Sequence, residues 1–195
     1  MSSLLEIGIV VTVVAVVVVV IATVVLYNRL VRARVRVDEA WAQVDTDLQR
    51  RHDLIPDLVA TVGAYTDHER AALTAVTAAR AAALTRTQPS GREAAEDELG
   101  SAVGRLLLLS EAYPQIHADT GFRELQTELA DTESRLAFAR DFASHRVATY
   151  HQLLETFPSV VVAGAFGFER RPMFAVHDET TRQVPGAAFG GEVRG

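Results

Sequence analysis

The chain contains no cysteine and no lysine; its 19 basic residues are all arginine. Without cysteine, disulfides and thiol chemistry are excluded, while the redox compartment stays open. The lack of lysine, beside abundant alanine, reads as the codon bias of a GC-rich genome and not as a functional device. Catalytic signatures are scarce as well. There is no Gly-rich phosphate loop, nucleophile elbow or dinucleotide fingerprint, and Gly164-Ala165-Phe166-Gly167 is apolar with no lysine after it. No His-Glu-x-x-His occurs, since His68-Glu69 is followed by Arg70-Ala71-Ala72. A di-metal bundle would need Glu-x-x-His pairs, yet the residues three before the histidines are Gln49, Tyr65, Pro114, Phe142, Ala148 and Phe174. Asp141 and His145, one turn apart, read as a surface pair. No cofactor is expected. A net charge of −6 argues against a nucleic-acid partner.

Charge is also missing from Ile7 to Leu26, where Thr12 and Thr23 are the polar side chains. At about 1.5 Å per residue this run makes a helix of about 30 Å, the thickness of a hydrocarbon core. The sequence therefore predicts a transmembrane anchor over residues 1–28. A cleaved signal peptide fits poorly: the n-region carries Glu6 and no basic residue, the run is too long, and Tyr27-Asn28-Arg29 stands where a cleavage site would be. The valine richness does not make it a strand, because a lone strand cannot satisfy its backbone in lipid. Arg29, Arg32, Arg34 and Arg36 follow the run closely and form a membrane-proximal basic collar. By the positive-inside rule they place the N-terminus outside and the rest in the cytoplasm, a single-pass cell-membrane protein in contact with lipid.

Beyond the arginines, apolar residues alternate at three and four: Val37, Trp41, Val44, Leu48, then Ile55, Leu58, Val62 and Tyr65. The register passes through Pro56 without losing phase, which favours one kinked helix there. Thr66 with Glu69, and Ser90 with Glu93, have capping-box spacing and open two further helices. The longest pattern runs Phe122, Leu125, Leu129, Thr132, Leu136, Ala139, Ala143, Arg146, Tyr150, Leu153 and Phe157, with Asp119 or Thr120 as cap. The expected fold is all-α: an N-terminal transmembrane helix followed by an antiparallel, elongated bundle of three to four helices over 29–157. Residues 158–195 carry Gly and Pro without periodicity and are expected to be irregular. If four segments alternate up and down, the last helix returns to the anchor and brings Phe166 to Phe168 with it.

Polar residues interrupt these stripes. Arg51, Thr132 and Arg146 stand in core phase, where an unpaired charge is costly. Asp53, Glu69, Glu128 and Glu133 are candidate partners, and a buried ionic layer that fixes helix register is one reading. Wet heads at seam edges are the other. The carboxylates Glu93, Glu96, Asp97 and Glu98 read as a solvated face near a helix start.

Several blocks carry a family resemblance. Tyr27-Asn28-Arg29-Leu30-Val31, the segment AWAQVDTDLQRRHDLIPDLV from Ala40, HERAALTAVTAAR from His68, EAYPQIHADTGFRELQTELADTESRLAFAR from Glu111, and AGAFGF ending at Phe168 resemble successive blocks of the LemA family. Arg34-Val35-Arg36 departs from the usual pattern, and the tail after Arg171 matches poorly. The resemblance implies a bacterial, membrane-anchored helical protein with an adaptor or accessory role in the cell envelope, beside a membrane metalloprotease in some members. The family-matching positions Arg50, Arg51, Asp53, His68, Glu69, Glu133 and Arg140 then form either a structural ion layer or a partner surface. The expected function is a non-catalytic scaffold or adaptor for another membrane or envelope protein. A lipid-surface sensor or remodeller using the arginine collar and the phenylalanine-containing tail is the alternative, and a metal-dependent enzyme comes third. Homo-oligomerisation stays open, because one bundle can consume its own stripes.

Overall fold

The computed structural model describes residues 2–66, 69–85 and 89–172. Among these the chain is helical without strands: α1 (Ser2–Gly63), α2 (Arg70–Thr85), α3 (Pro89–Ser110), α4 (Pro114–Ala118), α5 (Thr120–Glu155) and α6 (Ser159–Ala165). The apolar run and the first bundle helix are thus one element. Its 62 residues make a rod of about 93 Å. The N-terminal part is long and apolar enough to cross a membrane, and its apolar window is unburied by the rest of the protein.

Pro56 lies inside α1 without ending it. Proline has no N–H to offer the carbonyl four residues back, which is that of His52. Arg80 of α2 supplies the missing donor, its Nε lying 2.8 Å from the His52 oxygen. The helix therefore continues past proline with the orphaned acceptor satisfied from outside.

From α1 the chain runs α2 back, α3 forward and α5 back again. The pairing is antiparallel: Phe122 and Leu129 of α5 pack with Leu58 and Val62, Leu136 to Ala143 with Ala40 to Leu48, and Tyr150 and Leu154 with Leu30 and Val37. Two regions result. In the head, α1, α2, α3 and α5 enclose one core around Val76, Leu99 and Leu106. Below it, α1 and α5 alone form a two-helix stalk, joined near Leu30 by α6. Residues 37–86 are therefore not one bent rod, because α1 stops at Gly63 and α2 packs back against it.

Several local expectations need correction. The Thr66 box does not form. Thr66 is buried and its Oγ donates to the Val62 carbonyl at 2.9 Å, so it finishes α1, while Glu69 just precedes α2. The second box falls on Ser90, whose side chain lies outside the described ones. Asp119 does cap α5, accepting from the Phe122 N–H at 2.9 Å. Arg146 is not a core residue: Val147 and Leu154 are buried instead, and Phe157 is exposed. A heptad seam drifts against the 3.6-residue turn, so a pattern carried over so many turns can select the neighbouring position.

Irregularity does not begin at Pro158 either, since α6 follows it directly. Val162 and Ala163 are buried against α1 and α5. Gly167 then adopts φ +67°, and the Phe168 N–H reaches back to the Ala163 carbonyl at 3.0 Å. This Schellman-type stop needs glycine because a Cβ is disfavoured in left-handed backbone. It folds Phe168 back onto Tyr27, with ring centroids 5.5 Å apart, beside Phe166 at 5.0 Å. The return of Phe166 and Phe168 to the end of the apolar run matches the four-segment reading. The rest of the expected irregular tail, 173–195, lies outside the described residues.

Candidate functional site

Charged side chains gather at the junction of head and stalk. Arg51 and His52 of α1 are 5% and 4% exposed, and Glu96 of α3 is 1% exposed. Arg51 Nη1 donates to Glu96 through its carboxylate at 3.4 Å and its main-chain oxygen at 3.3 Å. The Arg51 Nε lies 2.7 Å from Glu133 Oε1 of α5, and His52 Nε2 lies 2.9 Å from Glu96 Oε1. One guanidinium thus ties three helices together. Gly100, one turn beyond Glu96, makes room for it, because a Cβ there would stand 2.6 Å from Arg51 Nη2.

This layer contains part of what the sequence pointed to. Arg51 and Glu133 meet as expected. Arg50 pairs with Glu128 at 2.6 Å and Arg140 approaches Asp97 at 3.8 Å, both nearer the surface. Asp53 is exposed and accepts from Gln49 at 2.8 Å, taking no part in the Arg51 layer. Glu69 sits at the opposite end of the head, where it accepts from the Tyr113 hydroxyl at 3.1 Å. That bond, with burial second, raises the Tyr113 pKa. His68 lies outside the described residues. Thr132 is buried and donates to the Glu128 carbonyl at 2.7 Å, so it needs no partner helix. Glu96 overturns the reading of its cluster as a solvated face. Its signal was present: counting back three from the stripe Leu99, Val103 and Leu106 lands on Glu96.

Two surface features lie along the stalk. A groove of about 820 Å³ between α1 and α5 is bordered by Arg36, Glu39, Asp47, Arg135, Phe138 and Phe142. Phe138 is 72% exposed and stacks on Phe142 with centroids 6.2 Å apart, while Arg146 covers the other ring at 4.5 Å. The smaller feature, a recess of about 310 Å³, joins Arg29, Arg32 and Arg36 of α1 to Arg146 and Thr149 of α5. Arg34 faces elsewhere, with its guanidinium 5.6 Å from the Phe168 ring centre. Arg51, His52 and Glu96 line neither feature; their contacts fasten α1 to α3 and α5.

The LemA family profile matches residues 40–189, most of the chain. This chain belongs to the LemA family. The match opens at Ala40, so the apolar run and arginine collar precede it, and it extends past Arg171 into the tail that resembled the LemA pattern poorly. Curated relatives of this LemA-family chain include the magnetosome protein MamQ of Magnetospirillum gryphiswaldense, 30% identical over 91 residues, which are 47% of this chain and 33% of that protein. The magnetosome proteins MamQ 1 and MamQ 2 of Paramagnetospirillum magneticum are each 30% identical over 80 residues, 41% of this chain and 29% of theirs. The matched segment therefore spans about a third of these relatives.

Proposed function

We propose that the chain is a membrane-anchored, non-catalytic scaffold whose stalk docks another protein of the bacterial envelope. The observation that carries this reading is the Phe138 and Phe142 pair. Two stacked aromatic rings, Phe138 open to solvent and Phe142 partly covered by Arg146, with Arg36, Glu39 and Arg135 around them, have the composition of an interface anchor with a polar border. In this reading the N-terminal part of α1 spans the cell membrane with its N-terminus outside, and the bundle stands in the cytoplasm. Membership of the LemA family and bacterial relatives support the setting.

A photoreactive residue in place of Phe138, in cells, should yield a discrete higher-mass adduct that the same probe at Thr127 does not give. Equal labelling at both positions, or none at Phe138, overturns the docking surface. Protease added outside intact cells should leave the bundle uncut. Degradation of the bundle reverses the proposed orientation.

A further inference from the structure

The groove beside Phe138 belongs to the reading above, and the Arg51 layer pairs its charges among its own members. The arginine recess shares Arg36 and Arg146 with the rim of that groove, but Arg29, Arg32 and Thr149 are absorbed by neither. Arg29, Arg32 and Arg36 fall on one face of α1, and Arg146 meets them from α5 with Thr149 and Leu153 between. No carboxylate lines this recess, and none among the described residues forms a salt bridge with these four arginines. The chain carries a net charge of −6, so four cations left together without an acid are not a consequence of overall composition. Arginine as such is uninformative here, since there is no lysine. The placement is what matters.

That placement has a depth. Counted from Leu26, where the apolar run ends, Arg29, Arg32 and Arg36 lie about 4.5, 9 and 15 Å further along the helix axis. A headgroup layer extends roughly 5 to 8 Å beyond the hydrocarbon on each side, so Arg29 and Arg32 stand within or just outside it, while Arg36 starts beyond it and meets a headgroup only by extending its long side chain back toward the leaflet. A second observation fixes the same level. Tyr27, Phe166 and Phe168 form an aromatic cluster at the end of the run. Around it Phe157 (78% exposed), Val161 (62%) and Phe166 (56%) turn outward from the α6 region, the arrangement of an interfacial apolar collar.

We propose that the recess formed by Arg29, Arg32, Arg36 and Arg146 binds the phosphate diester of an anionic phospholipid headgroup, while the outward side of α6 rests in the same leaflet. Guanidinium groups converging from two helices give paired N–H donors to phosphate oxygens. The lipid supplies the negative charge that the protein withholds. This inference rests on the anchored half of the scaffold reading but not on the docking groove.

The test uses the full-length protein in zwitterionic detergent micelles, with fluorescent phosphatidylglycerol titrated against phosphatidylcholine. The wild type should prefer phosphatidylglycerol, and Arg32→Gln/Arg36→Gln should weaken that binding about tenfold, the value of a charge-assisted contact. Arg146→Gln should weaken it in the same direction although it lies far from the anchor in sequence. Arg105→Gln/Arg123→Gln removes as much charge from the exposed head and should leave binding unchanged. Helical circular dichroism and melting of each variant separate lost binding from lost folding. No headgroup preference in the wild type overturns the site, as does equal weakening by the two double variants, which would mean diffuse attraction. Displacement by excess inorganic phosphate assigns the recess to a soluble anion and overturns the lipid source. Because micelles hold the chain whether or not it spans a bilayer in cells, a failed anchor is detected separately, by recovery of the full-length protein in the soluble fraction.

Discussion

Glu96 faces Arg51 and His52 inside the protein, so neutralising it leaves a guanidinium buried with half its compensation. Breaking a buried pair by removing one partner typically costs about 3–5 kcal/mol, and Glu96→Ala should destabilise the bundle by that order. The double substitution Arg51→Leu/Glu96→Leu should cost less than the two single losses added together, because it removes both desolvated charges. Denaturant unfolding in detergent, followed by circular dichroism, measures this coupling, and strict additivity would dissolve the layer into independent contacts. Asp119 gives a pH signature. The Phe122 N–H, then the Tyr65 hydroxyl, hold its carboxyl below the ordinary aspartate range. A lowered native pKa adds stability above the unfolded-state value, lost as pH falls through the native one. Asp119→Ala should therefore melt below the wild type at neutral pH, with the gap closing in strong acid. At this scale the sequence was half legible. Arg51 announced itself by interrupting a stripe, and Glu133 was one of its four candidate partners, but Glu96 sat among three other carboxylates and its neighbours concealed its phase.

Two glycines of α3 give the element scale a paired test. Gly104 has open space where a Cβ would go, so Gly104→Ala should raise stability by up to about 1 kcal/mol through helix propensity. Gly100→Ala gains the same propensity but drives a methyl into Arg51, whose guanidinium is clamped by Glu96 and Glu133 and cannot swing away. Thermal melting should move in opposite directions for the two variants, and a common rise would mean that Arg51 relaxes without loss. The existence and order of the four long helices, α1, α2, α3 and α5, was readable from apolar spacing, and Asp119 from capping chemistry. Helix ends were less so. Thr66 offered a hydroxyl that could open a helix or close one, and its bond to the Val62 carbonyl closes α1, a choice that local spacing does not encode. The phase at Arg146 was lost for a related reason: positions 146 and 147 differ by one step, and only contact with Leu30 and Val37 selects the valine.

For the whole molecule, anchoring is the property on which location depends. The full-length protein should sediment with membranes after cell breakage and enter solution with detergent, whereas removal of residues 1–28 should shift it toward the supernatant. Soluble full-length protein without detergent contradicts the anchor. Parity of helices was sufficient to anticipate that α5 returns to the arginine collar. It did not reveal that the bundle narrows to two helices, because that depends on α2 and α3 being shorter than α5. Nor did it reveal α6, whose seven residues are too few for a periodic signal.

The uninterrupted course of α1 has a mechanical corollary. With Pro56 bridged by Arg80 and no break before Gly63, one continuous helix joins the apolar run to the head. If α1 leans as one body by about ten degrees, its far tip, about 93 Å away, moves sideways by roughly 16 Å, so a pull on the head would act with leverage on whatever surrounds the apolar run, and a tilt of that run would in turn swing the head.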